Sequence, residues 1–295
     1  MRINFVGLLV GAGLLVLPVG GSLEAVAGDS TKRRYSFFAP TPDHLMRDMS
    51  TDRPDATESP FTIDAGHAQV ETNIFGFSRS TRDSDGFRTD TYEIGTTNIR
   101  IGVTSFAELN LVWQPYGVVQ TSSLLSGPAS RSSGIGSVDI RGKINLWGND
   151  LFGDLGTSAF ALLPFVTLPT DRSNDVSAAG FSAGLIVPFA LQLSDKIGFG
   201  LNAGFVSTKS EETSSYRTEY LVTAAVSYEW TDRLGSYYEV GVAFETDDPR
   251  GDAVFLGTGL TYAVNSNTQL DIGLNVGVSP AADRINPFIG ISRRF

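Results

Sequence analysis

Charged side chains recur at every second position in parts of this chain. Asp139, Arg141, Lys143 and Asn145 alternate with Val138, Ile140, Gly142 and Ile144. On an extended backbone residues two apart share a face, so this run is one polar face with both signs of charge and one apolar face. The same polar parity holds Asn98 with Arg100, Gln69 with Glu71, Glu239 with Glu245, and Asp271. Such rows either line a solute path with a transverse field or pair and close it. Nucleophilic chemistry is poorly served. His44 and His67 are the two histidines, and neither has a serine partner at a recognisable spacing, so no catalytic residue is assigned and an enzyme is not expected. Asp83-Ser84-Asp85-Gly86 begins like a calcium loop without the later acidic ligand, and Asp247, Asp248 and Asp252 read as a solvated acidic loop. No metal or other cofactor is expected.

Faces of this kind are held by strands, and the alternation runs through most of the chain. From Gln269 to Ser279, Leu270, Ile272, Leu274, Val276 and Val278 point one way, and Asp271, Gly273, Asn275, Gly277 and Ser279 the other. Tyr220, Val222, Ala224, Val226, Tyr228 and Trp230 form a row that opens and closes with aromatics, and Tyr238, Val240, Val242 and Phe244 do likewise. The pattern predicts strands near 66–79, 89–104, 106–119, 133–148, 157–169, 178–194, 196–208, 217–232, 234–247, 253–266, 268–280 and 286–295. These lengths suit tilted membrane-crossing strands, and aromatic ends suit rings at headgroup level. The expected fold is all-β, a transmembrane antiparallel up-and-down barrel of about twelve strands. Turns near 104–106, 194–196, 231–233 and 265–267 are tight, whereas connections at 80–89, 121–133, 171–179, 209–216 and 247–252 are long and polar. That sorting predicts a bacterial outer-membrane barrel with long loops outside and both termini in the periplasm. The stretch 157–194 fits least well, because Pro164, Pro169 and Pro188 each remove a ladder donor.

Composition agrees with export. The 295 residues include no Cys, which removes disulfides and lipoprotein attachment, and a formal net charge of -10 argues against a nucleic-acid partner. Arg2, the apolar run from Phe5 to Gly20 and Ala25-Val26-Ala27 predict a cleaved leader over 1–27. No second apolar run of helical-span length follows, so a membrane crossing requires a closed sheet. Residues 28–65 form a short irregular segment before the barrel at 66–295, with Phe37, Phe38, Leu45 and Met46 to place. This segment is expected in the periplasm or partly inserted as a plug. The tail from Phe288 to Phe295, with Gly290 and a terminal aromatic, has the form that barrel-assembly machinery reads. The expected partners are that machinery, outer-membrane lipid and a small-molecule solute.

The run from Thr51 to Glu71 carries Asp52-Arg53-Pro54, then Ser59-Pro60-Phe61-Thr62, then Gly66-His67. It resembles the opening signature of the outer-membrane family of transporters of the MetA pathway of phenol degradation. The likeness continues through Gly136 to Ile140 and Leu168-Pro169-Thr170, and ends in the Gly290-x-x-x-Arg294-Phe295 tail. Asp171 and Arg293 depart from the family's pattern. The resemblance implies a transporter-like barrel passing a small, hydrophobic or aromatic solute by passive or facilitated diffusion. The alternative is a closed barrel with a structural, binding or sensing role through its N-terminal segment. Pathway candidates are the inward charges Glu71, Arg100, Asp139, Arg141, Lys143, Glu239, Glu245 and Asp271. In the plainer reading they pair with one another and stabilise a narrow lumen.

Overall fold

The computed structural model describes residues 32–124, 127–171, 173–209, 215–245 and 251–295, so the expected leader lies outside the described residues. The first strands are β1 (Ala68–Arg79), β2 (Phe87–Thr104), β3 (Ala107–Trp113), β4 (Tyr116–Ser123), β5 (Gly127–Gly134), β6 (Val138–Trp147) and β7 (Ser158–Leu168). They continue as β8 (Ser182–Ser194), β9 (Ile197–Lys209), β10 (Tyr216–Glu229), β11 (Leu234–Glu245), β12 (Ala253–Asn265), β13 (Thr268–Gly277) and β14 (Asn286–Arg294). All pairings are antiparallel. β1 bonds to both β2 and β14, which closes the sheet. The ring is β1, β2, β3 and β6 through β14, twelve strands as the alternation predicts.

β4 and β5 account for the two remaining strands and correct the expected boundaries. The segment expected as one strand over 106–119 breaks at Gln114–Pro115, opposite Gly95 of β2, whose φ is 72°. Beyond the break β4 keeps pairing with the upper half of β2, and β5 pairs with β4. Most of the expected loop at 121–133 is therefore a hairpin rising from the barrel. Pro115 has no N–H to offer the ladder, and that is the physical reason for the interruption. The 157–194 region stays in register as strands, with ladder gaps beside its prolines. Leu163–Ile186 and Phe160–Phe189 are partners, and no pairing joins the residues between them.

Burial is inverted relative to a water-soluble fold. Leu109, Leu111, Ile140, Tyr220, Tyr238, Leu256, Ile272 and Val278 are exposed on the outer face, while Arg100, Lys143, Gln69 and Glu71 are almost wholly enclosed. A contiguous apolar exterior of this extent requires an apolar surrounding, which lipid supplies. This is a membrane-spanning β-barrel. Its tight turns lie at the end that holds Ala68 and Phe295, with one longer connection at 148–157 on the same side.

Residues 32–67 start at that rim and then enter the lumen. Short 3-10 turns span Lys32–Arg34 and Asp43–Leu45. Gly66 N–H donates to Gly102 O, and Gly66 has a φ of 78° with Pro40 packed against its Cα, so a side chain is excluded there twice over.

Candidate functional site

Ser50 to Thr62 forms a loop that crosses the lumen and returns. Its two limbs meet where Ser50 Oγ and Ser59 Oγ lie 3.0 Å apart and Ser59 N–H donates to Asp52 Oδ1. This base sits against β1, β2, β3 and β6. Lys143 Nζ donates to Asp52 Oδ1, and Arg100 Nε lies 3.3 Å from Asp52 Oδ2. Arg100 also donates to Glu108 at 2.9 Å, to Glu71 at 2.8 Å and to the carbonyl of Phe61 at 2.8 Å. Asp52 N–H donates to Glu71, Ile63 N–H to Glu108, and Asn145 Nδ2 to the carbonyl of Pro60. The forked guanidinium can serve several acceptors at once, which a lysine in its place could not reproduce. Burial raises the Asp52 carboxyl, but Arg100 and Lys143 outweigh it and leave Asp52 below its ordinary value.

The tip, Arg53 to Glu58, reaches the far walls. Arg53 pairs with Asp271 of β13 at 2.8 Å and stands over the ring of Phe288. Its guanidinium lies directly against Gly290, where a Cβ would collide, so the glycine expected as an assembly signal also makes room for the plug. Ala56 N–H and Thr57 Oγ1 donate to Glu239 of β11 at 3.1 and 2.6 Å, and Thr57 Oγ1 is 2.8 Å from Thr223 Oγ1 of β10. Glu58 pairs with Arg141 of β6 at 2.8 Å, and Arg141 also holds Asp139. Burial, with the Asp52 charge added, pushes the Glu58 carboxyl up to about 7 against the pull of Arg141. Burial and then Glu239 hold the Asp55 carboxyl well above the usual range.

Seven of the eight pathway candidates thus touch this loop or its immediate partners, and the side chain of Glu245 lies outside the described residues. Direct pairing across the lumen is not how they meet. Arg100–Glu71 and Arg141–Asp139 are wall-to-wall pairs between near neighbours, whereas Asp271 and Glu239 reach the plug instead of the basic wall. The lumen is wider than two side chains, and the loop bridges it. The signature residues divide between loop and rim. Asp52, Arg53, Pro54, Ser59, Pro60 and Phe61 build the loop, while Gly66 and His67 fix its return to β1. His67 Nε2 donates to the carbonyl of Thr41 at 2.7 Å, and Nδ1 is 3.3 Å from the carbonyl of Phe295.

Several participants were not singled out in the sequence. Glu108 shares the inward parity of β3, and that parity was its available signal. Arg47, Asn149 and Asp150 had none, being joined only by tertiary folding. Asp150 binds both Lys32 and Arg47 at 2.8 Å, and Asn149 Nδ2 donates to Thr62 Oγ1 at 2.7 Å. The letters Gly-x-Ser-x-Gly do occur at 180–184, yet they open β8, where Ser182 Oγ lies 2.9 Å from Thr208 Oγ1. That is a strand position and not the strand-to-helix turn of a nucleophile elbow.

Beside the loop is a cavity of about 840 Å³. Its barrel side is the inward face of β8 to β10, including Ala190, Gly198, Gly200, Ala225 and Ser227, and its other side includes Thr57, Glu58, Ser59 and Pro60. At Gly200 a Cβ would come within 3.0 Å of Thr57 Cγ2, so the loop passes closely over the glycine.

Among solved structures, the fold is similar to an outer-membrane channel from Pseudomonas putida F1, with a TM-score of 0.59 and 12% identity, covering 83% of this chain and 100% of that one. It is also similar to the transport unit of the autotransporter AIDA-I from Escherichia coli, with a TM-score of 0.50 and 12% identity over 84% of this chain and 93% of that one. At these identities the likeness shows the architecture. No curated protein sequence matches the chain. The family model described as "Putative MetA-pathway of phenol degradation" matches residues 51–295, from the start of the luminal loop to the final phenylalanine, and the chain belongs to that family.

Proposed function

We propose that this protein is an outer-membrane channel for a small, neutral or aromatic solute, with the tip of the luminal loop as its gate and both termini in the periplasm. The observation that carries the reading is the asymmetric seating of the loop. Its base is locked among enclosed charges, its tip is held by pairs that are partly accessible, and a cavity of about 840 Å³ lies beside it. The aromatic preference comes from the family's association with phenol degradation. Transport down a gradient needs no reacting group, so the channel reading assigns the two histidines no chemistry, and His67 instead ties the N-terminal segment to the barrel's end.

The test is single-channel current and solute-dependent swelling in proteoliposomes, comparing the native chain with Arg53→Ala. The substitution removes the bond to Asp271 and the stacking on Phe288, and open events are expected to become longer or more frequent. A second reading, a closed barrel that binds or anchors something through its N-terminal segment, is favoured by the density of pairing around the loop. Silence from both well-folded chains would abandon diffusion in favour of that reading.

A further inference from the structure

The turn before the plug presents its apolar residues outward. Ser36 and Ala39 close on each other through reciprocal backbone hydrogen bonds, which puts Phe37 and Phe38 at the turn's tip. Phe38 is 93% exposed and Phe37 48%, with their rings edge to face at 5.1 Å. Two adjacent exposed phenylalanines on a tight, well-bonded turn are costly in water. The turn is fixed to the barrel wall, since Ser36 bridges Thr104 and Phe37 N–H donates to the carbonyl of Val103 at 2.8 Å. The bridge fixes its place. It joins the last residues of β2, where the β2–β3 register shifts between Gly102 and Thr104, and both phenylalanines are exposed there at the barrel's rim.

The surroundings have the composition of a membrane interface. Phe106 is 48% exposed in the neighbouring β2–β3 turn, and Arg33 lines a rim groove with it. Arg33 and Arg34 are exposed on the 3-10 turn just before, and the Arg34 guanidinium lies over Tyr35. Aromatic rings beside arginines, continuous with the apolar outer band, match a headgroup layer of anionic phospholipid.

We infer that the Phe37–Phe38 turn, with Arg33 and Arg34, is an interfacial anchor that inserts into the anionic leaflet at the periplasmic rim. It holds the outer end of the plug segment to lipid as well as to the barrel. The anchor does not depend on what the channel passes. It also restricts the gate, because a segment fixed at the rim and at Asp52 can move only at its tip.

The absence of native cysteine makes the test direct. Phe38→Cys and, as a water-exposed reference in the 80–86 connection, Ser84→Cys are spin-labelled in the full folded chain in liposomes. Collision with oxygen and with a water-soluble nickel complex then reports depth. The label at 38 is expected to favour oxygen several-fold more than the label at 84. The preference should grow when phosphatidylglycerol replaces phosphatidylcholine, and Arg33→Ser with Arg34→Ser should abolish that lipid dependence. Phe38 is so exposed that its replacement leaves the fold unstrained, and Phe37→Cys provides a second reporter. Equal nickel access at 38 and 84 in both lipids would overturn the anchor. So would protection from both collision partners already present in detergent, which would indicate a protein contact.

Discussion

The two sides of the lumen treat the same loop in opposite ways. Along β1, β2, β3 and β6 the wall supplies Glu71, Arg100, Glu108 and Lys143, and these bond the loop's base so closely that none is more than 2% exposed. Along β8 to β10 the wall supplies Ala190, Gly198, Gly200, Ala225 and Ser227, and a cavity remains. The difference lies in side-chain length. Long charged residues reach the centre of a twelve-stranded barrel, and residues without reach leave it empty. One wall is therefore a clamp, and the other leaves the tip room to move toward β8 to β10.

Breaking the clamp should have the largest effect. Lys143→Ala removes the ammonium beside Asp52 and Glu108 and leaves both carboxylates enclosed with less compensation. Removing one partner of a buried pair typically costs about 3–5 kcal/mol. Unfolding in urea from detergent or lipid should show that loss. A stability within experimental error of the native chain would mean that the clamp is loose.

The second prediction concerns the tip and is graded by pH. The Glu58 carboxyl stands at about 7 in the seated loop, against 4.5 when free. The seated state therefore binds the proton more tightly. Its advantage is full below about 4.5 and is lost as pH rises through about 7. Channel current should rise between pH 5 and pH 8, and Glu58→Gln should flatten that rise. A current that falls with rising pH, with the native residue present, would show that Arg141 and not burial controls this group.

How much of this contrast was legible depends on distance along the chain. The clamp's strands were readable because alternation is a local property, and Arg100, Glu71 and Lys143 declared their facing by parity alone. The loop was readable only as a signature, since nothing local says that Asp52 will meet a lysine 91 positions away or that Arg53 will meet Asp271. Asp150 illustrates the limit. It sits in a short connection between strands, and its importance comes from Lys32 and Arg47, residues that reach it through the fold alone. The β4–β5 hairpin was hidden for a different reason. Ser, Thr and Gly with polar residues on both faces resemble a loop, because a strand that stands clear of the membrane has no apolar face to reveal it.

The open wall yields the smallest change in stability and the sharpest separation of path from clamp. Ser227 faces the cavity from β10 and is exposed there. Ser227→Leu adds apolar volume to a space already present, so it avoids the overpacking that costs about 1–3 kcal/mol in a filled core, and stability should stay nearly native. Flux should not. If solute passes along β8 to β10, swelling rates for one-ring neutral compounds should fall in this variant while the midpoint of unfolding holds. If flux is unchanged, the route lies on the other side of the tip, beside β11 to β13. Releasing Arg53 from Asp271 would then open a passage directly above its own pair.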